Sequence, residues 1–160
     1  MGAPQQVEEF FVVVMRHAES DYNGTALVPE ADIYIQEIAS QLFVLKAYIQ
    51  QISNKGCEFV VAHKSKDAPP FLTARTLAHC LGKLPLANWS TMPIDVVILA
   101  QTLAKFTSQR ILVLVGHEPD MGGLLRQLGL RCEGLEYAMP VCVRLRMKNG
   151  GIAAAAYLSF

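Results

Sequence analysis

No apolar run in this chain approaches the roughly 18 residues that a membrane-spanning helix needs. The longest runs, Phe10 to Met15, Ile94 to Ala100 and Ile152 to Leu158, have the length of a strand or a short helix. A secretory leader is not expected either: Glu8 and Glu9 precede the first apolar run, with no basic start and no cleavage-like site. Gln6 stands where a myristoylation signal wants Ser or Thr. There is no excess of charge of either sign, since 14 Lys and Arg balance 14 Asp and Glu. That excludes nucleic-acid binding by whole-surface attraction. The four cysteines (Cys57, Cys80, Cys132 and Cys142) are far apart and form no Cys-x-x-Cys pair. They read as thiols in a reducing compartment, not as a disulfide or metal framework. What these absences leave is a soluble cytoplasmic protein with neither a membrane nor a nucleic acid as partner.

With 160 residues, 52% of them apolar and 18% charged, the chain has material for a self-sufficient core. A single domain over residues 1–160 is expected, with residues 1–7 as a flexible leader, working as a monomer or weak dimer. Internal repeats and low-complexity linkers are absent from the sequence.

Phe10-Phe11-Val12-Val13-Val14-Met15 is a β-branched and aromatic run, the mark of a strand buried on both faces. After Pro29, Glu30 and Asp32, apolar residues recur at Ile35, Ile38, Ala39, Leu42, Leu45 and Ile49, which predicts a helix to about Ser53 ending at Asn54-Lys55-Gly56. Strands are expected at 57–63, 111–115, 141–147 and 152–158. Helices are expected at 72–81, 95–106 and 121–128, and residues 64–70 read as a proline-containing loop. Asn149-Gly150-Gly151 is a hairpin signal between the last two strands. Strands alternating with helices define an α/β layered domain, whose functional loops lie at the carboxyl ends of its parallel strands.

Two of these buried strands end alike, at Met15-Arg16-His17 and at Val115-Gly116-His117. If both lie near the middle of one parallel sheet, their imidazoles emerge on the same rim. His63 also ends a strand, and His79 falls within a predicted helix. None of these histidines shows the His-Glu-x-x-His spacing of a zinc site, so neither a metal nor a cofactor is expected.

Residues 13–23, Val-Val-Met-Arg-His-Ala-Glu-Ser-Asp-Tyr-Asn, resemble the opening of the histidine phosphatase superfamily, the phosphoglycerate-mutase-like enzymes. Residues 115–120, Val-Gly-His-Glu-Pro-Asp, resemble the second motif of its small SixA-like phosphohistidine phosphatase branch. The resemblance spans essentially the whole domain. It implies a three-layer α/β/α fold with a mostly parallel central sheet and a C-terminal β-hairpin. It also implies a metal-independent phosphatase whose nucleophile is His17, with Arg16 holding the phosphoryl oxygens and His117 stabilising their charge. Ser20 and Asn23 match positions that line the phosphate pocket. The implied substrate is a phosphohistidine protein or a small phosphorylated molecule.

Two departures from the family pattern stand out. The Ser-Pro-x-x-Arg-Ala stretch that brings a second arginine to the pocket corresponds to Pro70-Phe71-Leu72-Thr73-Ala74, which puts Thr73 at the arginine's place and Arg75 two positions later. On a helix that shift turns the side chain by about 200°. Arg75, Lys64 or Lys66 is then the candidate replacement cation. Gly24 to Glu37 also lacks the further arginine that the family often carries there. Glu19, Glu118 and Asp120 are alternative general acids. The rival expectation is a catalytically weak or inactive phosphate-binding regulatory module on the same fold.

Overall fold

A computed structural model describes residues 8–64, 68–88, 94–106 and 108–159. The leader expected over residues 1–7 lies outside the described residues, as does Lys66.

Six strands and four helices follow one another as β1 (Glu8–Arg16), α1 (Ala31–Ser53), β2 (Glu58–His63), α2 (Ala68–Cys80), β3 (Leu86–Asn88), α3 (Val96–Ala104), β4 (Arg110–Gly116), α4 (Asp120–Gln127), β5 (Pro140–Lys148) and β6 (Gly151–Leu158). They form one sheet in the order β3-β2-β4-β1-β5-β6. The first four strands of that order are parallel, and β5 and β6 are antiparallel additions.

The alternation of side chains along β1 builds the two helical layers. Phe11, Val13 and Met15 point into a core shared with Ile35, Leu42, Leu45 and Leu77 of α1 and α2. Val12 and Val14 point the other way, against Leu99 and Leu103 of α3 and Leu124 and Leu125 of α4. Being covered on both faces is why the Phe10–Met15 run carries no polar residue. The buried residues of α1 are Ala31, Ile35, Ile38, Ala39, Leu42, Leu45 and Ile49, the stripe that the three-and-four spacing predicts.

Two local details differ from the sequence expectation, the start of α2 and the strand β3, while α1 ends where the spacing predicts. Helix α2 begins at Ala68, inside the predicted 64–70 loop, with Pro69 and Pro70 in its first turn. Prolines are tolerated there because first-turn N–H groups have no intrahelical acceptor. Strand β3 is three residues long, too short to show a period. Helix α1 is closed by Asn54 in the left-handed conformation (φ 55°), a role that Asn fills when glycine does not. The C-terminal hairpin turns on Asn149 (φ 55°) and Gly150 (φ 77°), the pair of positive angles that a two-residue hairpin requires. All four cysteines are free, with Cys57 and Cys142 buried. Among the described residues no helix is long and apolar enough to cross a membrane.

Candidate active site

The register between β1 and β4 pairs Arg16 with Gly116, so the next residues, His17 and His117, leave the sheet side by side at its carboxyl rim. The backbone continues the ladder for one more step, the His17 N–H donating to the Gly116 carbonyl at 2.9 Å. The two imidazoles meet edge to face, with ring centroids 5.0 Å apart and planes at 81°.

His17 is buried, and its Nδ1 lies 2.6 Å from the Ala18 carbonyl. A carbonyl can only accept, so Nδ1 carries the proton and Nε2 keeps its lone pair. Burial lowers the His17 pKa from its ordinary 6.5. The Ala18 carbonyl opposes that shift, and the positive fields of His117 and Arg16 add to it. Tautomer and charge state together leave the Nε2 lone pair unprotonated at neutral pH.

Arg16 ends β1 with its guanidinium carbon 3.7 Å from the centre of the Tyr137 ring, while Nη1 donates to the Leu135 carbonyl at 3.4 Å. Its Nε–H is buried and reaches no acceptor among the described residues. An orphaned buried donor is costly, by about 1–3 kcal/mol or more when charged, and an anion beside it would remove that cost.

The loop at 134–139 was not among the sequence candidates, yet it closes the site. Tyr137 packs 5.6 Å from the His17 ring as well as under Arg16. The Ala138 N–H donates to the His17 carbonyl at 3.1 Å. Glu118 fastens this loop from behind, accepting from the Leu135 N–H at 3.1 Å and the Gly122 N–H at 2.5 Å. With both oxygens held by backbone amides, Glu118 is built into the scaffold. Asp120 lies 3.7 Å from Lys64 Nζ, and Glu19 is exposed. Glu19 is therefore the one of the three acids whose side chain is joined to no other among the described residues.

Thr73 occupies the position of the expected arginine and is fully buried. Its hydroxyl accepts from the Ala18 N–H at 2.9 Å and donates to the Pro69 carbonyl at 2.8 Å. Arg75 does not join the histidines. It is exposed about 200° around α2 from Thr73, with its guanidinium 5.4 Å from the Phe71 ring, which itself packs on His63. Ser20 is half-buried and bridges to Leu27. Asn23 is exposed on a turn that the Asp21 carboxylate organises through the Thr25 and Ala26 amides. Neither Ser20 nor Asn23 is bonded to the histidine pair. Among the described residues no three His, Cys, Asp or Glu side chains gather as a metal site would need.

The fold defined by this sheet and its helices is phosphoglycerate-mutase-like. The chain is similar to the protein histidine phosphatase SixA solved with tungstate: 16% identity, TM-score 0.58, covering 94% of this chain and 95% of that one. It is also similar to a protein from Nakamurella multipartitia assigned as a phosphohistidine phosphatase SixA, with 14% identity and TM-score 0.52 over 95% of each chain. No protein-family model and no curated protein matches the sequence.

Proposed function

We infer that the chain is a histidine-phosphatase superfamily enzyme of the SixA-like kind, hydrolysing phosphoryl groups through a covalent phosphohistidine on His17. One observation carries this reading. His17 is buried with a lowered pKa, its Nδ1–H is fixed on the Ala18 carbonyl, its ring lies 5.0 Å from that of His117, and the preceding residue, Arg16, keeps a buried Nε–H without a partner among the described residues.

In the first step Nε2 attacks phosphorus, and the bond from phosphorus to the leaving oxygen or nitrogen breaks. Arg16 and His117 stabilise the charge on the three equatorial oxygens. Water then attacks the phosphohistidine, the P–Nε2 bond breaks and inorganic phosphate leaves. An imidazole leaving group asks less of a general acid than an alkoxide does, which suits a site whose remaining carboxylate, Glu19, stands at the rim. Substrates on this reading are protein phosphohistidine or a small phosphate compound.

The placement of Thr73 and Arg75 favours one rival: a weak or inactive phosphate-binding module, since neither brings a second arginine to the pocket. Turnover of para-nitrophenyl phosphate in EDTA, with His17→Ala as control, separates the two. The enzyme reading expects turnover that survives the chelator, a phosphoenzyme labile to acid and stable to base, and loss of both in His17→Ala. Phosphate binding without turnover would overturn it in favour of the module.

A further inference from the structure

A cavity of about 350 Å³ opens on the α1 side of the segment that follows His17, lined by neither histidine of the pair. Its walls include Ala18, Glu19, Tyr34, Glu37 and Tyr137. Ala18 holds the His17 ring through its carbonyl, and Tyr137 touches both His17 and Arg16, so this space adjoins the proposed phosphoryl site. A second cavity of about 650 Å³ shares Gln41 and Pro140 with it and is lined by Arg131 and Glu133 as well as by Met139 and, at the end of β6, Leu158. Together the two cavities offer, as a groove between α1 and the 134–140 loop, more volume than a single phosphorylated metabolite would fill.

The near end of that groove has a sign. Glu19 and Glu37 line it and no lysine or arginine does. Neither carboxylate is paired with a basic side chain among the described residues. The asymmetry reaches further along the chain: residues 17–45 hold Glu19, Asp21, Glu30, Asp32 and Glu37 and no Lys or Arg, in a sequence whose total charge is balanced. Such a flank repels an isolated phosphate dianion and attracts a phosphoryl group that comes with a cation beside it. The rings of Tyr34 and Tyr137 add faces on which a guanidinium or ammonium can lie.

The geometry points to a polypeptide substrate lying in this groove, with a Lys or Arg next to the phosphoryl-bearing residue seated among Tyr34, Glu37 and Tyr137. This deepens the phosphatase reading and rests on it for the chemistry, while the groove itself is tested separately. The substrate charge sits on the phosphoryl group and the specificity charge on its neighbour, so Arg16 and Glu37 read opposite signs of one segment.

The experiment compares two synthetic phosphohistidine peptides, identical except that Lys or Glu flanks the phosphorylated residue. Wild-type protein is expected to favour the Lys peptide in kcat/KM by about fivefold to tenfold, the scale of one or two partly exposed ion pairs. Glu37→Lys, an exposed position, is expected to abolish that preference and to leave para-nitrophenyl phosphate turnover no lower than in the wild type, since the reversal removes a repulsion of the isolated dianion. Equal rates on the two peptides, or a preference that survives in Glu37→Lys, would overturn the proposal. If wild-type protein fails to turn over para-nitrophenyl phosphate and both peptides, the catalytic reading fails instead. Calorimetric binding of the same peptides then decides the groove: tighter binding of the Lys peptide, lost in Glu37→Lys, supports it, and equal binding overturns it.

Discussion

The Thr73 hydroxyl accepts the Ala18 N–H at 2.9 Å, and the Ala18 carbonyl in turn holds Nδ1 of His17. A residue on α2 thereby helps orient the imidazole through the backbone of a single residue, Ala18. Thr73→Val keeps the shape and removes the acceptor, leaving a buried amide unpaired at a cost of about 1–3 kcal/mol. Turnover is expected to fall with stability, and Thr73→Ser to restore both. Denaturant melts alongside phosphatase assays check this. Thr73→Arg is expected to destabilise the protein, not to raise activity, because a fully buried hydroxyl with two bonds gives way to a larger charged group.

His17 also sets a pH dependence. Its pKa lies below 6.5 because burial opposes the imidazolium. The acid limb of kcat/KM is therefore expected below pH 6.5, where an unperturbed histidine nucleophile would already be half protonated. Stability follows the same sign. Above pH 6.5 His17 is neutral in folded and unfolded chains and contributes nothing. As the pH falls from 6.5 towards the lowered value, the unfolded chain takes up a proton that the folded one resists, and stability drops. His17→Gln should flatten that part of the stability–pH curve.

The two arginines should behave differently. Arg75→Ala removes an exposed side chain that, among the described residues, packs only on the Phe71 ring, so activity within about twofold and stability within about 0.5 kcal/mol are expected. Arg16→Gln removes the charge that faces the proposed phosphoryl group. A loss of roughly 10- to 150-fold in kcat/KM is expected, the equivalent of one charged hydrogen bond. A large loss in Arg75→Ala would return that residue to the pocket.

Tyr137 acts through its ring, not its hydroxyl, since the contacts described are with the Arg16 guanidinium and the His17 imidazole. Tyr137→Phe is expected to keep turnover within about twofold. Tyr137→Ala should lower it by about tenfold, because a cation–π contact and the packing beside His17 are lost together. Steady-state kinetics on the three proteins is sufficient.

Much of this architecture is legible in the sequence where one rule dominates. The Phe10–Met15 and Ile111–Val115 runs are apolar because both faces are covered, and such runs place His17 and His117 at strand ends. The α1 stripe and the Asn149-Gly150 turn are equally direct. The three-residue β3 has no period to read, and Pro69-Pro70 looks like a breaker although a helix's first turn accepts it. The Tyr137 loop carries no local signal at all. It comes to the site because β5 runs antiparallel to β1 with Pro140 opposite Met15, which puts the residues before Pro140 beside Arg16. Sequence spacing also cannot show that Thr73 serves a backbone amide, or that Glu118 is spent on two others.

The two borders of the sheet differ in a way that limits how copies of this protein can assemble. One border, β3, presents three residues, while the other, β6, presents Gly151–Leu158 without a charge or a proline. Sheet extension through β6 is therefore self-complementary: an antiparallel β6–β6 contact about a twofold axis uses up the adhesive border of both molecules. Head-to-tail stacking would need a long receiving border at β3, which these three residues do not supply. On the described residues, association by strand pairing through β6 would close at two copies, and a lysine placed in the middle of β6 is expected to prevent it.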